Sequence, residues 1–334
     1  MQHFVIVGIL VIVMAVLTYV GLDSAGLMPV QASAQAVSID WLWNWQVVAM
    51  SFLFALIFVP LVYSLVVFRR RKGETGDGEH IEGNTNLEIT WTVLPLFLVL
   101  AFAYMGAYSL GEINRVDPDA IEIKVRGQQF SWTFEYPEYG IVSTELHLPV
   151  DQQVVLLMES SDVIHSFWVP EFRVKQDVVP GRVTRYRITP TLIGDYKVRC
   201  AELCGMSHYK MENPVIVDAQ VDYDAWIAEQ TAIAAAAQTP EAIGQLLTVK
   251  NGCIGCHSID GSKLVGPSWL GTYGSVREFA DGTSAVADDA YITQSIREPL
   301  AHEVAGFSPS SMPPYTALTD EEIANIIAYL KTLK

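Results

Sequence analysis

The segment Cys200-Ala-Glu-Leu-Cys204-Gly-Met-Ser-His208-Tyr-Lys-Met211 crowds two thiols, a carboxylate, an imidazole and a thioether into one short stretch. Thiolate and thioether are soft ligands and imidazole is borderline, a set suited to copper and poorly suited to calcium or magnesium. One cysteine with histidine and methionine would serve a single copper ion, whereas two cysteines four residues apart can bridge two. A pair of ions needs a further terminal nitrogen. His165, in Asp162-Val-Ile-His165-Ser-Phe-Trp168, is the best-placed candidate. A Cys200–Cys204 disulfide and a zinc site of two cysteines and two histidines compete with this reading. Met211 and a β-rich context favour copper, because structural zinc rarely recruits a thioether.

The remaining two cysteines stand in Cys253-Ile-Gly-Cys256-His257. Cys-x-x-Cys-His is the attachment signature of c-type haem, with two thioether bonds and the histidine as an axial ligand. A thioredoxin-like redox pair is the competing reading, but no βαβ pattern surrounds the motif and the adjacent histidine argues against it. Past Met211 the chain holds one methionine, Met312 in Ser311-Met312-Pro-Pro-Tyr315, which is the sixth-ligand candidate; His302 is the alternative. His/Met ligation raises a haem's potential, as suits an electron carrier.

These sites need elements to hold them. The 334 residues allow two or three domains, and 51% hydrophobic with 17% charged residues is too apolar for a wholly soluble chain. A net charge of −16 argues against nucleic acid as a partner, since phosphate contacts need clustered Lys and Arg. Phe4 to Val20 is an apolar run somewhat short for a span, followed by Ala32-Ser33-Ala34 and Ala34-Gln35-Ala36, so it reads either as a signal peptide or as an extra helix. Trp45 to Phe68 and Ile89 to Leu110 are long enough to cross a bilayer, with Pro60 expected to kink the first. Trp41, Trp43 and Trp45 make an aromatic belt, and Arg69-Arg70-Arg71-Lys72 marks a cytoplasmic loop. Everything after Leu110 then lies outside, in an oxidising compartment where thiols are paired or ligated.

From about 119 to 218 the pattern has period two, as in Ile121 to Val125, Gln153 to Met158, Arg185 to Ile188 and Tyr196 to Arg199, which predicts a β-sandwich or barrel. An alanine-rich stretch within 219–239 reads as a helical linker, and about 240 to 334 reads as helical. Thr319 and Glu322 form a capping box before an apolar stripe of Ile323, Ile326, Ile327 and Leu330. His147 alternates on a strand without companion ligands, so a structural role is expected for it.

With those residues in view, the chain resembles cytochrome c oxidase subunit II over about residues 40–218. The copper loop, Glu88-Ile-Thr-Trp91-Thr-Val-Leu-Pro95, Gly127-Gln-Gln-Phe-Ser-Trp132-Thr-Phe-Glu-Tyr136 and Pro180-Gly181-Arg182 carry the likeness. The resemblance implies a binuclear copper centre, CuA, bridged by Cys200 and Cys204. His165 and His208 would be terminal ligands, with Met211 and the Glu202 carbonyl completing the shell. It also implies a Mg²⁺ shared with subunit I through the Glu202 side chain, and Glu88 at the mouth of a proton channel. Many members carry a tryptophan where this chain has Phe130, the place where an external cytochrome c delivers electrons. Phe130 and Trp132 are therefore the electron-receiving aromatic candidates, and Phe130 fits delivery from an attached donor.

The C-terminal part resembles class I cytochrome c, which implies that the Pro267 carbonyl orients the His257 ring. The expected architecture is multidomain: a signal peptide or extra helix (1–40), a transmembrane helical hairpin (41–111), an all-β cupredoxin-like Greek-key domain (112–218), a helical linker (219–239) and an all-α cytochrome c domain (240–334). The expected function is an electron-receiving oxidase subunit in a bacterial cytoplasmic membrane, with both redox domains on the outer face. Expected partners are membrane lipid, subunit I, other oxidase subunits and an external electron donor. Oxygen reduction and proton pumping would belong to another chain. A subunit of a nitric or nitrous oxide reductase and a stand-alone membrane-tethered shuttle are the competing readings.

Overall fold

The computed structural model describes residues 1–78, 80–307 and 312–334. The chain divides into two units. One comprises Met1–Gln31 and Gln35–Arg115, and the other Ala32–Ala34 and Val116–Lys334.

The first unit holds three helices, α1 (Gln2–Ser24), α2 (Ala34–Val67) and α3 (Thr85–Ile113). All three are long and apolar enough to cross a membrane. At 1.5 Å per residue even the shortest, with 23 residues, exceeds a hydrocarbon core of about 30 Å. It is longer than its apolar run because Gln2, His3, Asp23 and Ser24 extend the helix at its two ends. The second begins at Ala34, so Trp41, Trp43 and Trp45 lie within it, and it runs through Pro60. The third starts from a reciprocal cap. The Asn84 side chain accepts from the Leu87 N–H at 3.0 Å, and the Glu88 carboxylate accepts from the Asn84 N–H at 3.2 Å.

The second unit contains two five-stranded sheets. Its strands are β1 (Ile121–Gln128), β2 (Ser131–Tyr136), β3 (Ile141–Ser143), β4 (Leu146–Pro149), β5 (Val154–Ser160), β6 (His165–Val169), β7 (Val174–Val178), β8 (Thr184–Ile188), β9 (Gly194–Cys200) and β10 (Glu212–Asp218). One sheet has the order β3-β2-β1-β5-β8 and the other β4-β10-β9-β6-β7. Alternation decides which face is buried: in β1, Ile123 and Val125 turn into the core while Glu122 and Lys124 stay exposed. Leu156, Met158, Val198, Val215 and Trp132 complete a core with essentially no solvent exposure. Ala32 joins it, donating its N–H to the Glu171 carbonyl and accepting from Thr191, both at 3.0 Å.

Helix α4 (Gln220–Ala236) occupies the expected linker and is docked on the sandwich. Tyr223 and Ile227 are buried, and Trp226 stacks on His147 with ring centroids 4.1 Å apart. His147 shares a 2.7 Å hydrogen bond with Asp218, a structural role, as expected.

Past it come α5 (Pro240–Lys250), α6 (Asp289–Arg297) and α7 (Asp320–Leu330). The capping box is present, with Thr319 and Glu322 each accepting from the other's backbone N–H. Leu247, Ile292, Ile296, Ile323, Ile326 and Leu330 form a second core. The region is helical as expected, with one short addition: β11 (Val276–Glu278) and β12 (Ser284–Val286) pair as an antiparallel hairpin. Its loop carries Asp281, which accepts from the Thr283 N–H, and Gly282 at φ +82°, a turn chemistry that favours the hairpin locally.

Candidate metal centre and haem site

The metal centre is assembled where β6 meets β9. Antiparallel pairing sets Phe167 opposite Cys200, which places His165 at the start of β6 beside the end of β9. The loop 201–211 then folds back, closed by the Cys200 N–H donating to the Met211 carbonyl at 3.1 Å. The two sulfurs of Cys200 and Cys204 lie 3.8 Å apart. His165 Nδ1 is 3.8 Å from the Cys200 sulfur, and His208 Nδ1 is 3.5 Å from that of Cys204. Met211 Sδ lies 3.8 Å from Cys204, and the Glu202 carbonyl 3.2 Å from Cys200. His165 and Met211 are fully buried, His208 is half-buried, and the Glu202 side chain is exposed.

This donor set fits a soft metal pair. Both thiols are free. Two sulfurs at 3.8 Å can bind one ion together at the ordinary metal–sulfur length of about 2.3 Å, and each imidazole presents the nitrogen nearest its own sulfur. Glu202 is exposed while both cysteines are buried, which suits a hard carboxylate beside a soft site. The Cys200 thiol is pushed down to about 3 by its hydrogen bond with Cys204, aided by His165, while Cys204 is pushed up by the same bond and by burial. The sulfurs thus share a proton that metal binding would displace.

Asp162 has no evident role in the sequence motif, and in the structure it is the residue that aims His165. Its Oδ1 accepts from His165 Nε2 at 2.8 Å, turning Nδ1 towards the sulfurs. Its Oδ2 accepts from the Gln129 N–H at 2.7 Å. Burial alone would raise this carboxyl, but the hydrogen bonds from His165, Gln129 and Val163 hold it below the usual range. Burial would likewise lower His165, yet Asp162 and Cys200 raise it. Asp162→Asn should therefore weaken copper binding by about 10- to 100-fold, because an amide cannot accept from both N–H groups. Copper titration of the metal-free chain checks this; an unchanged affinity would refute the aiming role.

The second site lies within the C-terminal helices. Cys253, Cys256, His257, Met312 and His302 all line one cavity. His257 Nδ1 donates to the Pro267 carbonyl at 2.8 Å, which leaves Nε2 free to face the cavity. Burial holds the imidazole below its ordinary pKa, so the ring is neutral and able to ligate. The ring also stacks on Trp269, with centroids 5.0 Å apart. A side chain at Gly266 would sit 2.6 Å from His257 Cε1, so only glycine leaves room for this ring. Burial pushes the Cys253 thiol up to about 12 and raises Cys256 as well. A thioredoxin-like pair needs a thiolate of low pKa, and this pair has the opposite character. His302 stacks on Phe279 at 4.7 Å. Ser311, beside Met312, lies outside the described residues.

Phe130 is buried beside Gly205 of the copper loop. Trp132 has no solvent exposure and meets His165 edge-on at 5.9 Å. It offers no edge to a docking protein.

The fold and sites define a membrane-anchored, copper-binding β-sandwich joined to a c-type cytochrome. Three family descriptions match: cytochrome c oxidase subunit II, transmembrane domain, over residues 21–110; its periplasmic domain over 141–221; and cytochrome c over 241–334. Cytochrome c oxidase subunit 2 of Synechocystis is 36% identical, covering 61% of this chain and 75% of the relative. That of Alkalihalophilus pseudofirmus is 32% identical, covering 86% and 85%. Among solved structures, the periplasmic domain of subunit II of cytochrome oxidase of Bradyrhizobium japonicum aligns at 27% identity, covering 35% of this chain and 98% of that one, with a TM-score of 0.33. The chain belongs to the cytochrome c oxidase subunit II family and carries a fused cytochrome c domain. It is thus part of an oxidoreductase complex, with copper and haem binding following from its families and its β domain on the periplasmic face.

Proposed function

We propose that this chain receives electrons for a respiratory haem–copper cytochrome c oxidase in a bacterial cytoplasmic membrane. Electrons pass from a covalent haem c to CuA and on to subunit I, where oxygen reduction is coupled to proton pumping. The observation carrying this reading is the packing of both donor sets against one short segment, residues 128–131. Ser131 is within hydrogen-bonding distance of the Gly252 carbonyl beside the haem motif, and Gln129 donates to the Cys204 carbonyl.

In this reading Cys253, Cys256, His257 and Met312 would hold the haem, the two cysteines covalently. Cys200 and Cys204 would hold the copper pair together with His165, His208, Met211 and the Glu202 carbonyl. When bound, these groups supply reversible one-electron transfer. The residues' work is to fix geometry: Asp162 and Pro267 each lock one imidazole, and the sandwich keeps the sulfurs out of water. A rigid shell of this kind is what metal centres require of a scaffold. The exposed Glu202 carboxylate suits a Mg²⁺ shared with subunit I, and Glu88 the mouth of a proton channel. The division is a helical segment (1–40), a transmembrane hairpin (41–111), the CuA domain (112–218), a linker (219–239) and the cytochrome domain (240–334). Other oxidase subunits and an external donor complete the complex.

The test is metal and haem analysis of the purified complex, with near-infrared absorption and electron paramagnetic resonance. Two coppers of shared valence per covalent haem are expected in this chain. Zinc, or a single copper without shared valence, would refute the reading.

A further inference from the structure

The cytochrome domain does more than lie near the copper loop: its haem-attachment motif is set into the β1–β2 turn. Gly252 and Gly255 leave room there for Gln128 and Ser131, and any side chain at either glycine would run into them. Gln128 Nε2 donates to the Asn251 carbonyl at 2.6 Å. The Tyr315 hydroxyl donates to the same carbonyl at 2.9 Å. The motif is therefore clamped to the turn by shape and by hydrogen bonds.

One residue of that turn touches both sites. The Gln129 backbone carbonyl lies 3.8 Å from the Cys256 sulfur, and the residue itself lines the cavity shared by Cys253 and His257. Its side-chain amide donates to the Cys204 carbonyl at 2.5 Å. Its N–H donates to Asp162, the residue that aims His165. Gly205, at φ +133°, gives the amide its seat, since a Cβ there would come 2.9 Å from Nε2.

Resting on the functional reading above, we propose that Gln129 is the positioning residue that connects haem and copper electronically. The route runs from the Cys256 sulfur across one contact to the Gln129 carbonyl. It continues through the bonds of that residue to the amide, and crosses one hydrogen bond to the carbonyl of Cys204, a copper ligand. In the step, a ferrous haem loses one electron and becomes ferric, and the copper pair gains that electron. No proton moves with it, since the amide N–H stays on nitrogen. Phe130, aromatic and adjacent, touches the copper loop at Gly205; the proposed route runs through the Gln129 amide and not through this ring.

The test uses the detergent-solubilised oxidase carrying the full chain, with Gln129→Met, which keeps side-chain length but loses the amide, and Phe130→Leu. An electron is placed on the haem by a photoactivated ruthenium complex, and haem oxidation and copper reduction are followed together. Haem and copper potentials and their separation by pulsed paramagnetic resonance are measured on each variant. The expected result is a rate about 10- to 100-fold lower in Gln129→Met, the range typical of losing a partner that orients a metal ligand, with potentials and separation unchanged. Phe130→Leu, which probes the ring as the competing route, should lower the rate by less than Gln129→Met does. An unchanged rate in Gln129→Met overturns the proposal. So does a fall accompanied by a longer separation, which would make Gln129 a spacer, or a fall confined to Phe130→Leu. Absence of haem-to-copper transfer in the wild type would instead overturn the functional reading itself.

Discussion

Replacing Cys204 by serine is expected to abolish the shared-valence copper signal while leaving the covalent haem in place. Cys204 is the hub of the centre, with Cys200, His208 and Met211 all within 3.8 Å of its sulfur. It is also only 4% exposed, so water cannot take the place of a missing ligand. A serine hydroxyl is a harder ligand and far less acidic than a thiol, so it does not bridge two soft ions. Copper should fall to one ion or none per haem by elemental analysis. Met211→Leu provides the contrast. It removes a buried thioether at the edge of the site and keeps its volume, so both ions should stay, with a changed reduction potential. A Cys204→Ser protein that retained both coppers and their shared valence would remove the bridging role assigned to this sulfur. The haem makes the internal standard, because Cys253 and Cys256 would hold it covalently whatever happens at the copper ligands, and His257 keeps its own bond to the Pro267 carbonyl.

The sites were legible in sequence to different depths. Cys253, Cys256 and His257 are neighbours in the chain, so their chemistry is written locally. The same holds for Cys200 to Met211 and for the Thr319–Glu322 cap, where one turn of backbone brings the partners together. His165 was found through its motif, although it reaches Cys200 only through strand pairing across 35 residues. Asp162 was harder. A carboxylate three residues before a histidine has no meaning until β6 fixes which ring nitrogen faces the sulfurs. Gln129 lies inside the Gly127 to Tyr136 motif but shows no role there, because its partners Cys204 and Cys256 lie 75 and 127 residues away and a glutamine on a turn is chemically ordinary. The docking of α4 was hidden for a similar reason: alanine richness marks a helix, but only the His147–Trp226 stack says where it rests. The hairpin of β11 and β12 was missed because its strands are three residues each, too short for period two to show.

Gly244→Ala is expected to destabilise the cytochrome domain, against the local preference of its helix. Taken alone, alanine in the interior of α5 should be favoured over glycine by about 1 kcal/mol. The structure opposes that preference. A Cβ at Gly244 would overlap the backbone carbonyl of Asn325 in α7, with the Ile326 nitrogen only 3.0 Å away. The obstacle is helical backbone, which cannot rotate aside as a side chain would, so the two helices must move apart. Overpacking of this kind costs about 1–3 kcal/mol or more, and the upper part of that range applies to backbone contact, giving a net loss of about 2 kcal/mol. Separation would also disturb Leu247, Ile323 and Leu330, which close the second core, and Leu330 lines the haem cavity. The haem's methionine ligation should weaken in step, because Met312 packs against the same cluster. Thermal unfolding followed at the haem absorption band reads both effects. Gln245→Ala, at an exposed position one residue along, makes the control, since it tests helix propensity without the contact. If Gly244→Ala unfolds at the wild-type temperature, α5 and α7 do not pack as closely as the glycine implies. If it unfolds lower while Gln245→Ala does not, the close crossing of the two helices is what holds the haem pocket together.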